Sequence, residues 1–319
     1  MTPDDLKEYD VVIVGAGPAG LQAAVHAARR KASVLVLGRA GKSAAWRAHV
    51  ENLAGFAAAT GEDLVTRAVE QARASGAELA EQDAVALSPA GSGTGFAVAL
   101  ESGAKVAARA LVLATGVARA KLNVPGEKDL LGKGVSHCVD CDAGFFRGVP
   151  VAVVGDGSAA AEGALVMLKH ASEVHLVSAG LDVSDALRRA VEESAVVRHV
   201  PALAARIVAS AEGSAVEALE IEGGERLAVR GVFVELGAKG VLGLASGLGV
   251  ELDPESMRHV VTDRAQRTNV AGVYAAGDVT GPPFQIAKAL GEGCVAGLGA
   301  AEHARNARAV AGSSGATGR

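Results

Sequence analysis

Two cysteines stand close together in Cys138-Val139-Asp140-Cys141-Asp142. A Cys-x-x-Cys pair can close a small disulfide, and such pairs commonly favour the thiolate at one sulfur, the form that attacks a disulfide or ligates a metal. The carboxyl group directly after the second cysteine, Asp142, can carry a proton to and from a departing thiolate, which is general acid-base work. Two plainer readings fit the same residues: a pair of buried structural thiols, and half of a zinc site. Zinc asks for about four Cys or His ligands. The third cysteine, Cys294, is remote in sequence, and neither a second C-x-x-C nor an H-x-x-x-H occurs, so no metal is expected. His137 beside the pair reads as a locally hydrogen-bonded residue, and Cys294 as a small core residue.

The elements around this segment follow a repeated plan. The apolar run Asp10 to Val14 flows into Gly15-Ala16-Gly17-Pro18-Ala19-Gly20, an Ala-rich stretch from Leu21 to Arg30, and a second apolar run Val34 to Leu37. That order reads as strand, glycine turn, helix, strand, the frame of a dinucleotide site. Gly15 permits the tight bend, Gly17 lets the backbone approach a pyrophosphate, and Gly20 lets helix pack on strand, while free N–H groups at the helix start hold phosphate charge. The acid expected on a ribose at the end of the second strand is missing, with Gly38-Arg39 in its place. The plan recurs at Val149 to Val154, Gly155-Asp156-Gly157-Ser158-Ala159-Ala160, a helical Glu162 to His170 and Val174 to Val177.

A stretch of alternating apolar runs follows each unit: Val85 to Leu113, broken at Gly91 to Gly95, and Ile207 to Leu236, broken at Gly223-Gly224. These end in Ala114-Thr115-Gly116 and Glu235-Leu236-Gly237, so the two halves look duplicated. A further strand ends in Ala275-Ala276-Gly277-Asp278, and a helix from Gln285 to Arg305 lies behind it. The expected fold is α/β, with two Rossmann-like three-layer nucleotide-binding domains, the second inserted in the first. Residues 1–119 and 242–319 form the outer domain and 120–241 the inserted one, with crossings around Ala118 to Leu122 and Lys239 to Leu244. A disordered tail is expected after about Val310.

Bulk properties narrow the function classes. The 319 residues are half hydrophobic and carry a net charge of -5, without a Lys/Arg cluster long enough to track a phosphate backbone, so nucleic acid is an unexpected partner. No run of about 18 apolar residues would span a bilayer. The acidic start lacks the layout of a secretory signal, and three cysteines do not make a secreted disulfide framework, which points to the cytoplasm.

In order along nearly the whole chain, the motifs resemble those of the low-molecular-weight thioredoxin reductases. They are Gly15-x-Gly-Pro-Ala-Gly20, Val50-Glu51-Asn52-Leu53-Ala54-Gly55-Phe56, Ala114-Thr115-Gly116, Gly134 through Asp142 with Phe145-Phe146, Val151 to Glu162, and Ala275-Ala276-Gly277-Asp278. The resemblance implies FAD in the outer domain, with Gly15, Gly17, Pro18, Ala19 and Gly20 on its pyrophosphate. Asn52, Thr115 and Gly116 would lie near the flavin, Gly277 and Asp278 at the ribityl chain, and Gln285 and Ile286 by the isoalloxazine. It also implies that Cys141 faces the flavin, Cys138 attacks the substrate disulfide and Asp142 is the acid. Electrons would pass to a thioredoxin-like protein or a small-molecule disulfide, within a homodimer whose inserted domain rotates.

One stretch departs from the family. After the strand Val174 to Val177, NADPH-dependent members carry His-Arg-Arg and a further Arg; here the residues are Ser178-Ala179-Gly180-Leu181-Asp182-Val183-Ser184. No cation awaits a 2′-phosphate and no acid a free ribose hydroxyl. Arg188 and Arg189, one to two turns into the next helix, are not expected to reach back. The second turn, with Gly155, Gly157, Ser158 and Ala159, therefore reads as a weak NAD(P)H site, a site for another donor, or packing. Rival readings are a dithiol oxidase that uses oxygen and forms a disulfide in a small molecule, a reductase fed by ferredoxin, and a flavin-binding regulatory subunit. Oxidases of this type tend to carry His after the second cysteine, so Asp142 favours reduction. Trp46, Arg47 and His49 add bulk where the family has a flavin-side glycine loop.

Overall fold

Apolar residues run without interruption through Val11–Val14 and Val34–Leu37, and strands apolar on both sides need cover on both faces. The computed structural model of the chain describes residues 6–56, 59–91, 95–117, 121–137, 139–236, 241–254 and 259–314. Its backbone divides into two compact units, one of Met1–Leu100, Ala104–Val117 and Leu244–Arg319, the other of Glu101–Gly103 and Ala118–Gly243.

The first unit begins with β1 (Lys7–Val14), α1 (Pro18–Arg29) and β2 (Val34–Leu37). A short pair follows, β3 (His49–Val50) with β4 (Ala59–Thr60), then α2 (Gly61–Ala74), β5 (Glu78–Ala80), β6 (Ala84–Pro89), β7 (Phe96–Leu100) and β8 (Lys105–Leu113). Pro18 in the first turn and His26 and Arg29 in the last suit α1, since Pro lacks only an N–H that would be orphaned and cations complement the helix C-terminus. Strands pair in the order β5-β2-β1-β8-β7-β6, parallel through β8 and antiparallel beyond it. Val11, Ile13, Val34, Val36, Ala110 and Val112 face a core shared with α1, while Val12, Leu35, Leu111 and Leu113 on the opposite face are equally buried.

The second unit holds β9 (Val135–Ser136), α3 (Val139–Asp142), β10 (Pro150–Val154), α4 (Ser158–Met167), β11 (Glu173–Val177), α5 (Asp185–Glu192) and β12 (Val197–Val200). It continues with β13 (Ala204–Ala209), β14 (Val216–Ile221), β15 (Arg226–Ala228) and β16 (Gly231–Val234). A parallel sheet runs β12-β11-β10-β16-β9, and β13-β14-β15 form a separate antiparallel sheet. Val151, Val153, Val174 and Leu176 pack with α4 and α5, whereas Ala152, Val154, Val177 and Val232 pack with Ile207, Val216, Leu219 and Leu227 of the antiparallel sheet. Alternation along each strand thus produces three layers: helices, parallel sheet, meander. The helix read as Glu162 to His170 instead starts at Ser158, directly after its cap Gly157, and ends at Met167, followed by turns.

The chain closes through α6 (Val241–Ser246), β17 (Val273–Ala275) and α7 (Ile286–Ser314). β17 pairs in parallel with the last part of β8, Leu111 to Leu113, while β7 takes the first part. Helix α7 runs past the Arg305 and Val310 expected from sequence, because each added residue of an established helix gains a backbone hydrogen bond without new nucleation; residues 315–319 lie outside the described ones. Among the described residues no helix is long and apolar enough to cross a membrane.

Helices α1 and α7 touch through glycine. A Cβ at Gly293 would stand 2.2 Å from Ala19 O, and one at Gly297 2.3 Å from Ala23 O. Alanine favours an isolated helix by about 1 kcal/mol over glycine, but a backbone oxygen cannot move aside, and overpacking costs about 1–3 kcal/mol or more. The clash should win: Gly297→Ala is expected to lower the thermal midpoint of the holoprotein, and an unchanged or raised midpoint would show that the helices do not cross this closely.

Candidate active site

The main sheet of each unit puts a glycine turn where the strand order reverses, the usual place for a nucleotide in an α/β sheet. After β1, Gly15 has φ +117 and its Cβ would lie 2.1 Å from Ala114 O; a Cβ at Gly20 would lie 1.9 Å from Gly15 O. Gly17 is different: a Cβ there meets nothing nearer than Ser43 Cβ at 3.6 Å, so this side of the turn is open. Gly17 caps α1 without a side-chain bond, and no acid stands in the first turn. The turn therefore presents backbone N–H groups toward an anion.

The expected flavin-side residues gather from distant parts of the chain. Ala19 adjoins Gly277, where a Cβ would stand 2.8 Å from Ala19 Cβ, and Thr115 N is 3.0 Å from the Cβ position of Gly15. Asn52 Nδ2 donates to Gln285 Oε1 at 2.8 Å, joining two residues expected by the ring. Ile286 opens α7 and packs on the core shared with α1. Gly116 has φ +69. The turn carrying Asp278 is tied to α7 by residues the sequence did not single out. Glu292 Oε2 accepts from Gly277 N (2.8 Å), Thr280 Oγ1 (2.9 Å) and Lys288 Nζ (3.0 Å), and Lys288 Nζ also donates to Gly277 O at 2.9 Å. Arg39, which follows β2 where an acid was expected, pairs at 2.8 Å with Asp83 from the stretch between β5 and β6, both mostly buried.

In the second unit the dithiol segment lies across the ends of β9 and β16. Cys138 is outside the described residues, as are the side chains of Asp140 and Cys141. Val139, Ala143 and Phe146 anchor the segment: the first two are buried in the helix-side core, and Phe146 meets Phe233 edge-on at 5.1 Å. Ser136 Oγ donates to Asp142 Oδ2 at 2.7 Å, and Val139 N donates to Glu235 Oε1 at 2.8 Å. His137 turns to Glu127, Nε2 to Oε1 3.6 Å. Cys294 is a free, half-buried thiol on α7.

The second glycine turn repeats the first. A Cβ at Gly155 would stand 2.0 Å from Glu235 O, Gly157 caps α4 without a side-chain bond, and Ser158 and Ala159 are buried at the helix start. The stretch from Ser178 to Ser184 folds back on this turn: Asp182 N donates to Asp156 O at 2.7 Å, and Leu181 is buried in the core. Ser178 Oγ and His199 Nε2 are 3.0 Å apart, sharing a hydrogen bond. Ser184 Oγ caps α5 by accepting from Leu187 N, and Arg188 reaches the loop at Leu181, to whose O its Nη2 donates, rather than the strand end at Val177. Its guanidinium is engaged in holding the loop.

A glycine turn open at Gly17, a second turn built on the same plan and a C-x-x-C-D segment on one chain are the parts of a flavin-dependent disulfide oxidoreductase. Residues 9–309 match the model of the pyridine nucleotide-disulphide oxidoreductases, and the chain belongs to that family. Within it the chain is of the thioredoxin reductase type, an FAD-dependent enzyme. It is 33% identical over 312 residues to the thioredoxin reductase of Listeria monocytogenes, covering 93% of this chain and 94% of that one. Among solved structures it is similar to the atypical thioredoxin reductase TRi of Desulfovibrio vulgaris, at 36% identity, TM-score 0.78, and coverage of 93% and 98%. It is also similar to a ferredoxin-flavin thioredoxin reductase of Clostridium acetobutylicum, at 30% identity, TM-score 0.66, and coverage of 94% and 99%. The first glycine turn fits FAD, since its open side at Gly17 and uncapped helix start suit a pyrophosphate.

Proposed function

We propose that the chain reduces the disulfide of a thioredoxin-like protein or a small molecule with the Cys138–Cys141 dithiol, drawing electrons from a donor other than NADPH. Residues 1–119 and 242–319 hold FAD and residues 120–241 carry the dithiol, in a cytoplasmic homodimer. Gly15, Gly17, Pro18, Ala19 and Gly20 take the pyrophosphate, Gly277 and Asp278 the ribityl chain, and Asn52, Thr115, Gly116, Gln285 and Ile286 the ring. FAD, when bound, supplies a two-electron carrier.

The Cys138 thiolate attacks one sulfur of the substrate, forming a mixed disulfide and expelling the other sulfur as a thiolate, which takes a proton from Asp142. The Cys141 thiolate then attacks Cys138 Sγ. That step closes the Cys138–Cys141 bond and releases the second substrate sulfur, which is protonated in turn from solvent. Two electrons have passed from dithiol to substrate. Asp142→Asn should slow this exchange roughly 10- to 1,000-fold, the usual loss with one general acid. Single-turnover reduction of an oxidised thioredoxin by the pre-reduced holoenzyme reads it, and an unchanged rate would remove Asp142 from the mechanism.

The donor reading rests on the loop from Ser178 to Ser184, bonded to the glycine turn through Asp182 and Asp156 where a nicotinamide dinucleotide would lay its adenosine. The similar Clostridium enzyme is a ferredoxin-flavin thioredoxin reductase, which supports ferredoxin as the donor here.

A further inference from the structure

Asp142 can serve as an acid only if its carboxyl group is aimed, and the backbone around it does not aim it. Helix α3 is four residues long, and Asp142 is its last. The segment is anchored elsewhere: Val139 is 1% exposed, its Cγ2 3.1 Å from the Cβ position of Gly163, and Phe146 lies so close to Gly231 that a Cβ there would be 2.5 Å from the ring. Val139 N is held by Glu235 at the end of β16. These contacts fix the main chain and leave the carboxylate rotamer undetermined. The contact that fixes it is Ser136 Oγ, donating to Asp142 Oδ2 at 2.7 Å.

Ser136 is well placed for this. It is buried, and parallel pairing of β9 with β16 puts it in register with Phe233, beneath the dithiol segment. A buried hydroxyl must find a partner, and a hydrogen bond to a carboxylate is among the stronger ones. From this geometry we propose that Ser136 is a positioning residue for the disulfide exchange: it holds the carboxyl group of Asp142 in the orientation from which it protonates the departing thiolate. The inference rests on the reading of Asp142 as the acid. In this role Ser136 acts through Asp142.

The test is a double-mutant cycle on the FAD-loaded enzyme, with single-turnover reduction of an oxidised thioredoxin as readout and the thermal midpoint as the check on folding. Ser136→Ala should slow exchange roughly 3- to 30-fold, a part of the factor that a general acid supplies, with the KM for thioredoxin unchanged. In the Asp142→Asn background the same substitution should cost nothing more, because no acid remains to be aimed. A role in folding alone would instead lower the thermal midpoint or slow both backgrounds equally. Ser136→Ala at the wild-type rate, or a further loss on top of Asp142→Asn, would overturn the inference while the Asp142 reading stands. Asp142→Asn at the wild-type rate would overturn both.

Discussion

Replacing Cys138 by serine should abolish disulfide reduction and leave FAD bound at about one per chain. A serine hydroxyl is far less acidic than a thiol and its oxygen cannot enter thiol–disulfide exchange, so the loss should reach at least about 10³-fold, as when a catalytic nucleophile is removed. The segment should tolerate the change, because Val139, Ala143 and Phe146 anchor it in the core. Cofactor binding should be indifferent for another reason: the first glycine turn, Asp278 and the network of Glu292 and Lys288 all belong to the other unit. Cys141→Ser should behave differently, stalling as a mixed disulfide between Cys138 and thioredoxin that appears as a covalent adduct on mass analysis. A Cys138→Ser enzyme with near-normal turnover, or an adduct on Cys294, would move the chemistry away from this pair.

NADPH should reduce this enzyme only at millimolar concentration. Each charge-assisted bond from an arginine to a 2′-phosphate contributes about 1.5–3 kcal/mol, so two absent arginines cost about 10² to 10⁴ in affinity. Arg188 offers one guanidinium near the loop, yet it is bound to Leu181 O, and turning it to a phosphate would cost that bond. The loop is also tied down, since Asp182 N is bonded to Asp156 O in the glycine turn and Leu181 is buried. NADH, lacking the phosphate, loses less and gains no acid at Ser178, which instead shares its hydrogen bond with His199. Stopped-flow traces of flavin bleaching under anaerobic NADPH, NADH, reduced ferredoxin and a substrate dithiol, side by side, read the difference. Fast bleaching by micromolar NADPH would return the enzyme to the ordinary pyridine-nucleotide-dependent members of its family.

The features legible in the sequence are those encoded by neighbours. Gly15, Gly17 and Gly20 follow an apolar strand and precede an Ala-rich helix, and the second unit repeats the pattern, so both turns and the doubled architecture could be read from local spacing. What escaped depends on strands pairing across long separations. Glu235 reaches Val139 across 96 residues and Asp83 reaches Arg39 across 44, and neither carries a local mark. Ser136 stands within a recognisable motif, but its bond to Asp142, the last residue of α3, carries no local mark in the sequence. Helix ends were misjudged where no breaker stands: α7 continues past Arg305 through Ala-rich sequence, and α4 starts at its glycine cap rather than at Glu162.

The most direct test of the dithiol is an electron count. Anaerobic titration of the oxidised holoenzyme with dithionite should consume about four electrons per flavin, two at FAD and two at the Cys138–Cys141 disulfide, a two-electron couple. Alkylation after the titration should label both cysteines, while Cys138→Ser should accept only about two electrons, those of the flavin. A wild-type enzyme that stops at two, with Cys138 and Cys141 alkylated equally before and after reduction, would contradict the account.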